Sequence, residues 1–155
     1  MLFLIKMTNE WYIQIHPVGT NKITKEKYNI MENRTIENQE IGIHFGTTNP
    51  ILINNKMVNV NFTEDLSNRQ KLYRKRMFEY FINTMKIGDT IYLKKGKEIL
   101  YKAKIASDYI LVEYNEGLNK DWFWRHRRKI KDIEKIYEIK PGYSRQTLYC
   151  KKIIN

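Results

Sequence analysis

The chain contains a single cysteine, Cys150, and no apolar run long enough to cross a bilayer. One thiol cannot form an internal disulfide, so the fold is not expected to need an oxidising compartment. The apolar start MLFLIKM is much shorter than the ~20 residues of a membrane helix and lacks a signal-peptide cleavage site. These absences predict an intracellular protein without a membrane partner, located in the cytoplasm or, if it binds DNA, in the nucleoid or nucleus.

The sequence also lacks the motifs of common enzyme classes. The histidines His16, His44 and His126 are scattered and no cysteine pair is present, which excludes the zinc-finger and HxxxH spacings. No P-loop, dinucleotide fingerprint or serine nucleophile elbow occurs. We therefore predict no metal, no cofactor and no catalytic residue, and a protein that is not an enzyme.

One enzymatic alternative stays open. Metal-dependent nucleases use an Asp…Glu-x-Lys arrangement, and Glu138-Ile139-Lys140 with Asp132 upstream offers those residue types. The spacing is cramped, and acid-x-Lys triplets often arise by chance in a lysine-rich chain, so the pattern is weak without its structural context. A small nuclease or RNA-processing enzyme of this kind would lose metal-dependent cleavage in Glu138→Ala.

Positive charge is what the chain has in excess. Its 155 residues include 28 Lys+Arg against 17 Asp+Glu, which gives a formal net charge of +11. Residues 1–60 hold 6 basic and 5 acidic residues, whereas residues 61–155 hold 22 and 12. A charge of this size favours polyanionic partners, so we predict a nucleic-acid-binding surface formed mainly by the second part of the chain.

Hydrophobic periodicity predicts one domain, residues 1–155 with a core of about 10–153, that is mainly β with helices. Short consecutive strands favour a strongly bent sheet or barrel with a helix packed on it. The predicted strands are Glu10–Pro17, Glu40–Gly46, a hairpin within Ile51–Phe62 that turns at Asn54-Asn55, Thr90–Leu93, Ile99–Ile105, Tyr109–Tyr114 and Gln146–Ile153.

One long amphipathic helix is predicted between Leu66 and Met85, with Ser67 and Gln70 as a capping box at its start. Val18–Gln39 is polar and is expected to be an irregular excursion with at most a short helix. The three-residue spacing of Ile130, Ile133 and Ile136 predicts a short helical turn that leads to a strand. The cations in the first half of the long helix suit either a solvated face or phosphate contact; they are Arg69, Lys71, Arg74, Lys75 and Arg76.

Aromatic rings are interleaved with cations at two places. In WFWRHRRKI (Trp122–Ile130) three rings precede Arg125, Arg127 and Arg128, and a lysine turn, Lys94 to Lys97, lies between two tyrosines. Cations hold phosphate through charge, and rings stack on bases at about 1–3 kcal/mol each. Most rings of a small domain are core residues, and only one of Trp122 and Trp124 can face inward on a strand. Either Arg127 or Arg128 is expected to be held by a carboxylate such as Asp108, which leaves the other for phosphate.

The order of several motifs resembles EVE domains of the PUA-like superfamily, to which YTH and ASCH domains are related. The likeness extends from about Trp11 to Ile153. Phe45 stands where these domains usually have tryptophan, and Lys131-Asp132 falls where a tryptophan often follows the arginine run. The motifs are Trp11–Pro17, Ile41–Gly46, Met85–Tyr92 with its Lys-Gly-Asp, Ile99–Ile105, Asp108-Tyr109, Arg125–Ile130 and Gln146–Leu148.

This resemblance implies a PUA-like, strongly bent sheet or pseudo-barrel that binds DNA or RNA and takes a methylated base, flipped or single-stranded, into an aromatic pocket. EVE-like modules are fused to McrB-type and Mrr-type restriction systems, so an effector protein is expected in trans here. An RNA-binding accessory protein without base selectivity remains an alternative. The pocket candidates are His16, Phe45, Tyr109, Trp122 and Trp124, and the phosphate-binding candidates are Lys22, Lys25, Lys94, Lys95, Lys97, Arg125, Arg127 and Arg128.

Overall fold

A computed structural model of the protein describes residues 7–15, 25–45, 47–112, 125–139 and 147–154. In these ranges the chain folds into nine strands and two helices, which confirms a mainly β fold with helices. No helix among them is long and apolar enough to span a membrane. The elements are β1 Met7–Gln14, α1 Lys25–Asn38, β2 Glu40–Ile43, β3 Asn49–Ile53, β4 Lys56–Asn61, α2 Asn68–Phe78, β5 Thr90–Lys95, β6 Glu98–Ile105, β7 Ile110–Leu111, β8 His126–Ile139 and β9 Leu148–Ile154.

The main sheet is strongly curled into a half-barrel. Its strand order is β2-β8-β6-β5-β1-β9, with β7 also paired to β8, and only the β1–β5 pair is parallel. Trp11 and Ile13 of β1 and Ile15, which directly follows the strand, point into the main core, where each is at most 2% exposed. The strands β3 and β4 form a separate two-stranded sheet.

The segment predicted as one long helix divides into α2, of 11 residues, and a π-helical turn, Glu79–Thr84, so a single long helix is not confirmed. Its capping box is confirmed: the Ser67 side chain accepts from the Gln70 backbone N–H, and the Gln70 side chain accepts from the Ser67 N–H. The apolar residues at three- and four-residue spacing are buried against the sheet, so the periodicity located the packed face. They are Met77, Phe78, Phe81, Ile82 and Met85.

A second helix corrects the expectation of an irregular excursion. The helix α1 occupies 14 residues, Lys25–Asn38, within the segment predicted to be mainly polar and irregular. It contains few apolar residues, which is why its periodicity is weak. Two of its side chains, Met31 and Thr35, are buried one turn apart, and the Thr35 hydroxyl donates to the Met31 carbonyl oxygen. Tertiary burial of one narrow stripe therefore stabilises a helix that the sequence pattern does not indicate.

The predicted helical turn near the end of the chain is wrong, because Ile130, Ile133 and Ile136 all lie in β8. Two register shifts against β6 each insert one extra residue into β8, and Asp132 there has a φ of 54°. Where a strand has one extra residue between two inward-pointing side chains, the inward-pointing positions are three residues apart instead of two. The shifts fall between the pairs Lys104–Lys131 and Lys102–Glu134, and between the pairs Tyr101–Lys135 and Ile99–Glu138.

The hairpin formed by β3 and β4 confirms its prediction. Asn54 and Asn55 have φ values of 51° and 64°, the left-handed conformation that a two-residue hairpin turn needs and that asparagine tolerates. Met57 and Val60 of β4 are buried, and the Asn83 side chain bonds both the N–H (2.8 Å) and the carbonyl oxygen (2.9 Å) of Met57. This clamp attaches the hairpin to the π-helical turn.

Candidate nucleic-acid interface

The cationic run at the start of β8 is divided by strand alternation. Successive side chains of a strand point to opposite faces, so His126, Arg128 and Ile130 point into the core, whereas Arg127 and Lys129 point outward. The sequence run therefore does not form one continuous cationic surface. Arg125, which precedes the strand, is partly exposed and stays a candidate for phosphate contact.

Arg128 is a structural residue, which corrects its assignment to phosphate. It is 1% exposed, and its guanidinium donates to the carbonyl oxygens of Phe81 (2.9 Å), Met85 (2.6 Å) and Ser107 (2.9 Å). Helical C-termini leave carbonyl oxygens without intrahelical partners, and this guanidinium satisfies two of them where the π-helical turn ends. Burial lowers the pKa of Arg128, and the charges of Asp108 and Asp89 oppose that shift.

Arg127 is also held within the fold. Its guanidinium lies 3.5 Å from the Glu40 carboxylate, and that carboxylate accepts a second cation, Lys129, at 2.6 Å. The side chains of Arg127 and Glu40 are each 13% exposed. Burial lowers the pKa of Arg127, and the Glu40 charge raises it. The expected division between one held and one available arginine is therefore not observed, since backbone carbonyls hold Arg128 and Glu40 holds Arg127.

The lysine turn divides in a similar way. Lys94 is 0% exposed, its Nζ lies 5.2 Å from the centroid of the Tyr149 ring, and it cannot reach phosphate on the surface. This burial corrects its assignment to phosphate binding. Lys95 and Lys97 flank Gly96 at the β5–β6 turn and are exposed, so they remain available to a polyanion.

Phe45 lines a pocket of about 390 Å³ beside α2, here called the Phe45 pocket. The Phe45 ring makes edge-to-face contacts with Tyr73 at 6.1 Å and with Phe78 at 5.5 Å between ring centroids. The walls thus combine two aromatic side chains with two guanidinium groups and one amide. The lining residues are Phe45, Arg69, Gln70, Tyr73 and Arg74.

Arg74 is fixed at the back of the Phe45 pocket. One of its nitrogens, Nη1, donates to the Phe45 carbonyl oxygen (3.0 Å), Thr48 Oγ1 (2.6 Å) and Glu64 Oε1 (3.0 Å). Its guanidinium carbon lies 5.7 Å from the centroid of the Phe45 ring, within cation–π range. The bond from Arg74 is the largest of the effects that lower the pKa of Glu64. The nearest carboxylate is therefore neutralised by Arg74 and does not oppose an anionic ligand.

Tyr73 closes the other side of the pocket. Its hydroxyl donates to Thr147 Oγ1 and accepts from the Thr147 N–H, both at 3.1 Å, and the residue is 36% exposed. Sequence reasoning missed Tyr73. The signal was its position four residues after Arg69, which places both side chains on one helix face.

Tyr109 lines a different pocket of about 400 Å³, here called the Tyr109 pocket. The Tyr109 hydroxyl lies 2.6 Å from His126 Nδ1, and burial raises the pKa of Tyr109. His126 is fully buried, and its Nε2 has no hydrogen-bond partner among the described residues. Burial, then the charges of Arg125 and His44, lowers the pKa of His126 to about 3, so this ring is neutral at physiological pH.

The pocket candidates do not converge on one cavity in the described part of the chain. Phe45 and Tyr109 are at opposite ends of an aromatic row in which Phe78 packs edge-to-face on His126 at 4.7 Å. His16, Trp122, Trp124 and Lys22 lie outside the described residues. Lys25 is the first residue of α1.

The residues of the nuclease alternative are well separated. Asp132 and Glu138 lie six residues apart on β8, about 20 Å at ~3.3 Å per residue, too far to share a metal ion. Lys140 lies outside the described residues. Within the described ranges no group of three or more His, Cys, Asp or Glu residues is arranged to hold a metal.

Comparison with known families gives one match. A family model described as "Domain of unknown function (DUF8426)" matches residues 21–149, which include both pockets and run from just before α1 to the start of β9. No curated protein and no solved structure matches the chain. The description names no activity.

Proposed function

Because the chain belongs to the DUF8426 family, a domain of unknown function, its activity has to be inferred from geometry, and we propose that it is a nucleic-acid-binding module. In this proposal an unpaired base enters the Phe45 pocket, and Arg69, the exposed arginine at its rim, contacts the backbone phosphates. The single observation that carries the proposal is the pocket lining, in which two aromatic rings stand beside two guanidinium groups.

The size and chemistry of the pocket suit a planar heterocycle. About 390 Å³ lies within the range of ~300–1,000 Å³ typical of small-molecule sites. A base would stack on the Phe45 or Tyr73 ring, and the Gln70 amide offers both a donor and an acceptor to the edge of the base. Extruding a base from a duplex costs a few kcal/mol, so a single-stranded or already unpaired base is the favoured ligand.

The charge around the pocket favours a polyanion. The segment Asn68–Phe78 contains five cations and no acidic residue. Arg69, which lines the pocket, and Lys75 and Arg76 further along α2 are exposed. Arg74 is bonded inside the pocket wall and paired with Glu64, so the exposed positive charge at the pocket comes from Arg69. Exposed cations beside stacking rings are the combination that single-strand binding requires.

The resemblance to EVE-like domains supports one refinement, the reading of a methylated base. A methyl group adds apolar contact when a base is enclosed between rings, and a phenyl ring at position 45 offers less stacking area than the tryptophan usual in those domains. The refined proposal is therefore a reader of modified DNA or RNA that acts without catalysis. Effector activity would be supplied by another protein.

Fluorescence anisotropy with short oligonucleotides tests the proposal. Single- and double-stranded DNA and RNA, with and without N6-methyladenine or 5-methylcytosine, are compared at one fixed salt concentration. We expect single strands to bind more tightly than duplexes, and one methylated strand to bind more tightly than its unmethylated twin. Equal affinity for methylated and unmethylated strands would reduce the function to non-selective binding, and cleavage of any strand in Mg²⁺ would favour the nuclease alternative.

Two matched arginine variants locate the site. Arg69→Gln and Arg34→Gln remove one exposed helical cation each, from α2 and α1 respectively, and leave the same net charge. We expect Arg69→Gln to weaken single-strand binding by about fivefold to tenfold, since a typical intramolecular hydrogen bond contributes about 0.5–1.5 kcal/mol net and 1.4 kcal/mol is tenfold in affinity. We expect Arg34→Gln to change it less than twofold. Equal losses would show that overall charge, and not the Phe45 pocket, determines binding.

A further inference from the structure

Exposed apolar side chains are concentrated on the β3–β4 hairpin. Ile51, Ile53 and Val58 are 45%, 59% and 53% exposed although each belongs to a strand. Single exposed apolar residues are ordinary, but a contiguous group on a soluble protein marks an interaction surface. The hairpin is thus a candidate for contact with another molecule.

The Tyr109 pocket lies on the other face of β3, the face to which Leu52 points, between the hairpin and the main sheet. Leu52 of the hairpin, Ile87 of the turn before β5 and Leu111 of β7 line it and are 38%, 56% and 41% exposed. Six of the eleven exposed large apolar residues in the described ranges therefore lie on the hairpin or in this pocket. A cavity beside an apolar strand can accept a side chain from a bound segment.

The outer edge of β3 has unused backbone groups. Met57 gives both its N–H and its carbonyl oxygen to the Asn83 side chain, so the pair formed with Leu52 directly opposite is a non-hydrogen-bonded one. In such a pair the backbone groups of both residues point away from each other. Leu52 accordingly directs its N–H and carbonyl oxygen to the outer edge, where no strand of the described chain is paired.

The charges at the rim indicate which kind of segment fits. Lys56 follows the hairpin turn, Lys86 precedes Ile87, and both line the pocket and are exposed. The carboxylate of Asp108 lies on the same rim, and its charge raises the pKa of the buried Arg128. Two lysines on a chain of net charge +11 attract acidic segments and repel basic ones, including a second copy of this chain.

We propose that the β3 edge and the Tyr109 pocket bind an extended segment of a partner protein that alternates acidic and apolar residues. The segment pairs with β3 as a third strand of the hairpin sheet. One apolar side chain enters the Tyr109 pocket on the Leu52 face, and the acidic side chains point to the opposite face, where Lys56 lies across from Ile53. This surface is distinct from the Phe45 pocket and goes beyond nucleic-acid binding, since it provides the contact through which another protein is recruited.

A labelled peptide of alternating leucine and aspartate is the probe, and the same peptide with lysine in place of aspartate is its control. We expect the acidic peptide to bind and the basic one not to bind. The logarithm of the acidic-peptide binding constant is expected to fall linearly with the logarithm of the salt concentration. Ile87→Glu, which puts a carboxylate at the mouth of the pocket, is expected to weaken acidic-peptide binding by about tenfold or more. Ile139→Glu, the same change at a site on β8 that is 64% exposed, is expected to leave it within twofold.

Several outcomes would overturn the proposal. These are no binding of the acidic peptide, equal binding of both peptides, or equal losses in Ile87→Glu and Ile139→Glu. Displacement of the peptide by an oligonucleotide would assign the surface to nucleic acid, and a concentration-dependent dimer lost in Ile87→Glu would assign it to a second copy of the chain. Oligonucleotide affinity measured on Ile87→Glu separates the two proposals, because only the nucleic-acid proposal depends on the Phe45 pocket.

Discussion

Arg69 of α2 lies in as basic a stretch of sequence as Arg127 and Arg128 of β8, yet its guanidinium group has different contacts. Arg128 donates to three carbonyl oxygens and Arg127 is paired with Glu40, whereas Arg69 is exposed at the rim of the Phe45 pocket. The difference follows from position. The strand β8 has a paired strand on each edge, and its alternate side chains, including Arg128, point inward beneath the π-helical turn. Arg69, in the first turn of α2, faces solvent. A run of cations therefore indicates charge but not its availability.

The largest expected effect is on stability. Arg128→Met leaves two buried carbonyl oxygens and one partly buried carbonyl oxygen without their donor, so we expect the free energy of unfolding to fall by about 3 kcal/mol or more. Arg69→Met, at an exposed site, is expected to change it by less than about 0.5 kcal/mol. Urea denaturation measures both. A loss below about 1 kcal/mol in Arg128→Met would contradict the structural role of this arginine.

The next effect is a dependence of stability on pH that comes from a buried histidine. The pKa of His126 is lowered from 6.5 to about 3 in the fold, so below pH 6.5 the unfolded chain binds a proton that the folded chain does not. The neutral ring stabilises the fold fully above pH 6.5, and this stability is lost progressively as the pH falls toward 3. We expect a loss of about 2 kcal/mol between pH 7 and 5.

Melting curves of His126→Gln test that origin. This variant has a non-titrating side chain at position 126 and is expected to be less stable at pH 7 but to lose much less between pH 7 and 5. Burial also lowers the pKa of His44, so His44→Gln is expected to remove a smaller part of the same dependence than His126→Gln does. The same slope in His126→Gln as in the wild type would assign the dependence to other groups.

A smaller effect is expected from the outward-facing arginine of β8. The pair between Arg127 and Glu40 is partly screened, so a double-mutant cycle with Arg127→Met and Glu40→Gln should give a coupling energy of about 0.5–1 kcal/mol. Oligonucleotide affinity should fall no more than it does in Arg34→Gln. A tenfold loss of oligonucleotide affinity in Arg127→Met would show instead that Arg127 contacts phosphate.

The smallest effect on stability accompanies an effect on binding. Arg69→Gln should leave the melting temperature unchanged but reduce the slope of log K against log salt for a single strand by about 0.7, the value for one lost phosphate contact. Arg34→Gln should leave that slope unchanged. Anisotropy titrations over a range of salt concentrations measure both slopes. An unchanged slope in Arg69→Gln would remove the rim of the pocket from the interface.

Local chemistry made part of the fold predictable. The Asn54-Asn55 turn and the Ser67–Gln70 capping box depend on neighbouring residues, and both are present as predicted. The bulged strand β8 was not predictable, because extra residues between inward side chains give the three-residue spacing that also marks a helical turn. The helix α1 was missed because its stability comes from tertiary burial.

The candidate site was predictable only in its composition. Aromatic and cationic residues were correctly identified as abundant, and Phe45 does line a pocket. Its partner ring, Tyr73, comes from a helix 28 positions away in sequence, and no local pattern connects the two. Likewise, the burial of Lys94 and Arg128 depends on Tyr149 and on the π-helical turn, which are distant along the chain. Whether a cation is exposed for contact with phosphate therefore depends on the tertiary structure and not on the neighbouring sequence.

Photo-crosslinking tests the central claim most directly. A single strand that contains one 5-iodouracil is irradiated in complex with the protein, and the adduct is located by mass spectrometry. We expect the adduct to form on Tyr73 or Phe45, the two rings of the pocket, and to decrease in Arg69→Gln but not in Arg34→Gln. An adduct found mainly on β6 or β8, with neither ring labelled, would contradict it.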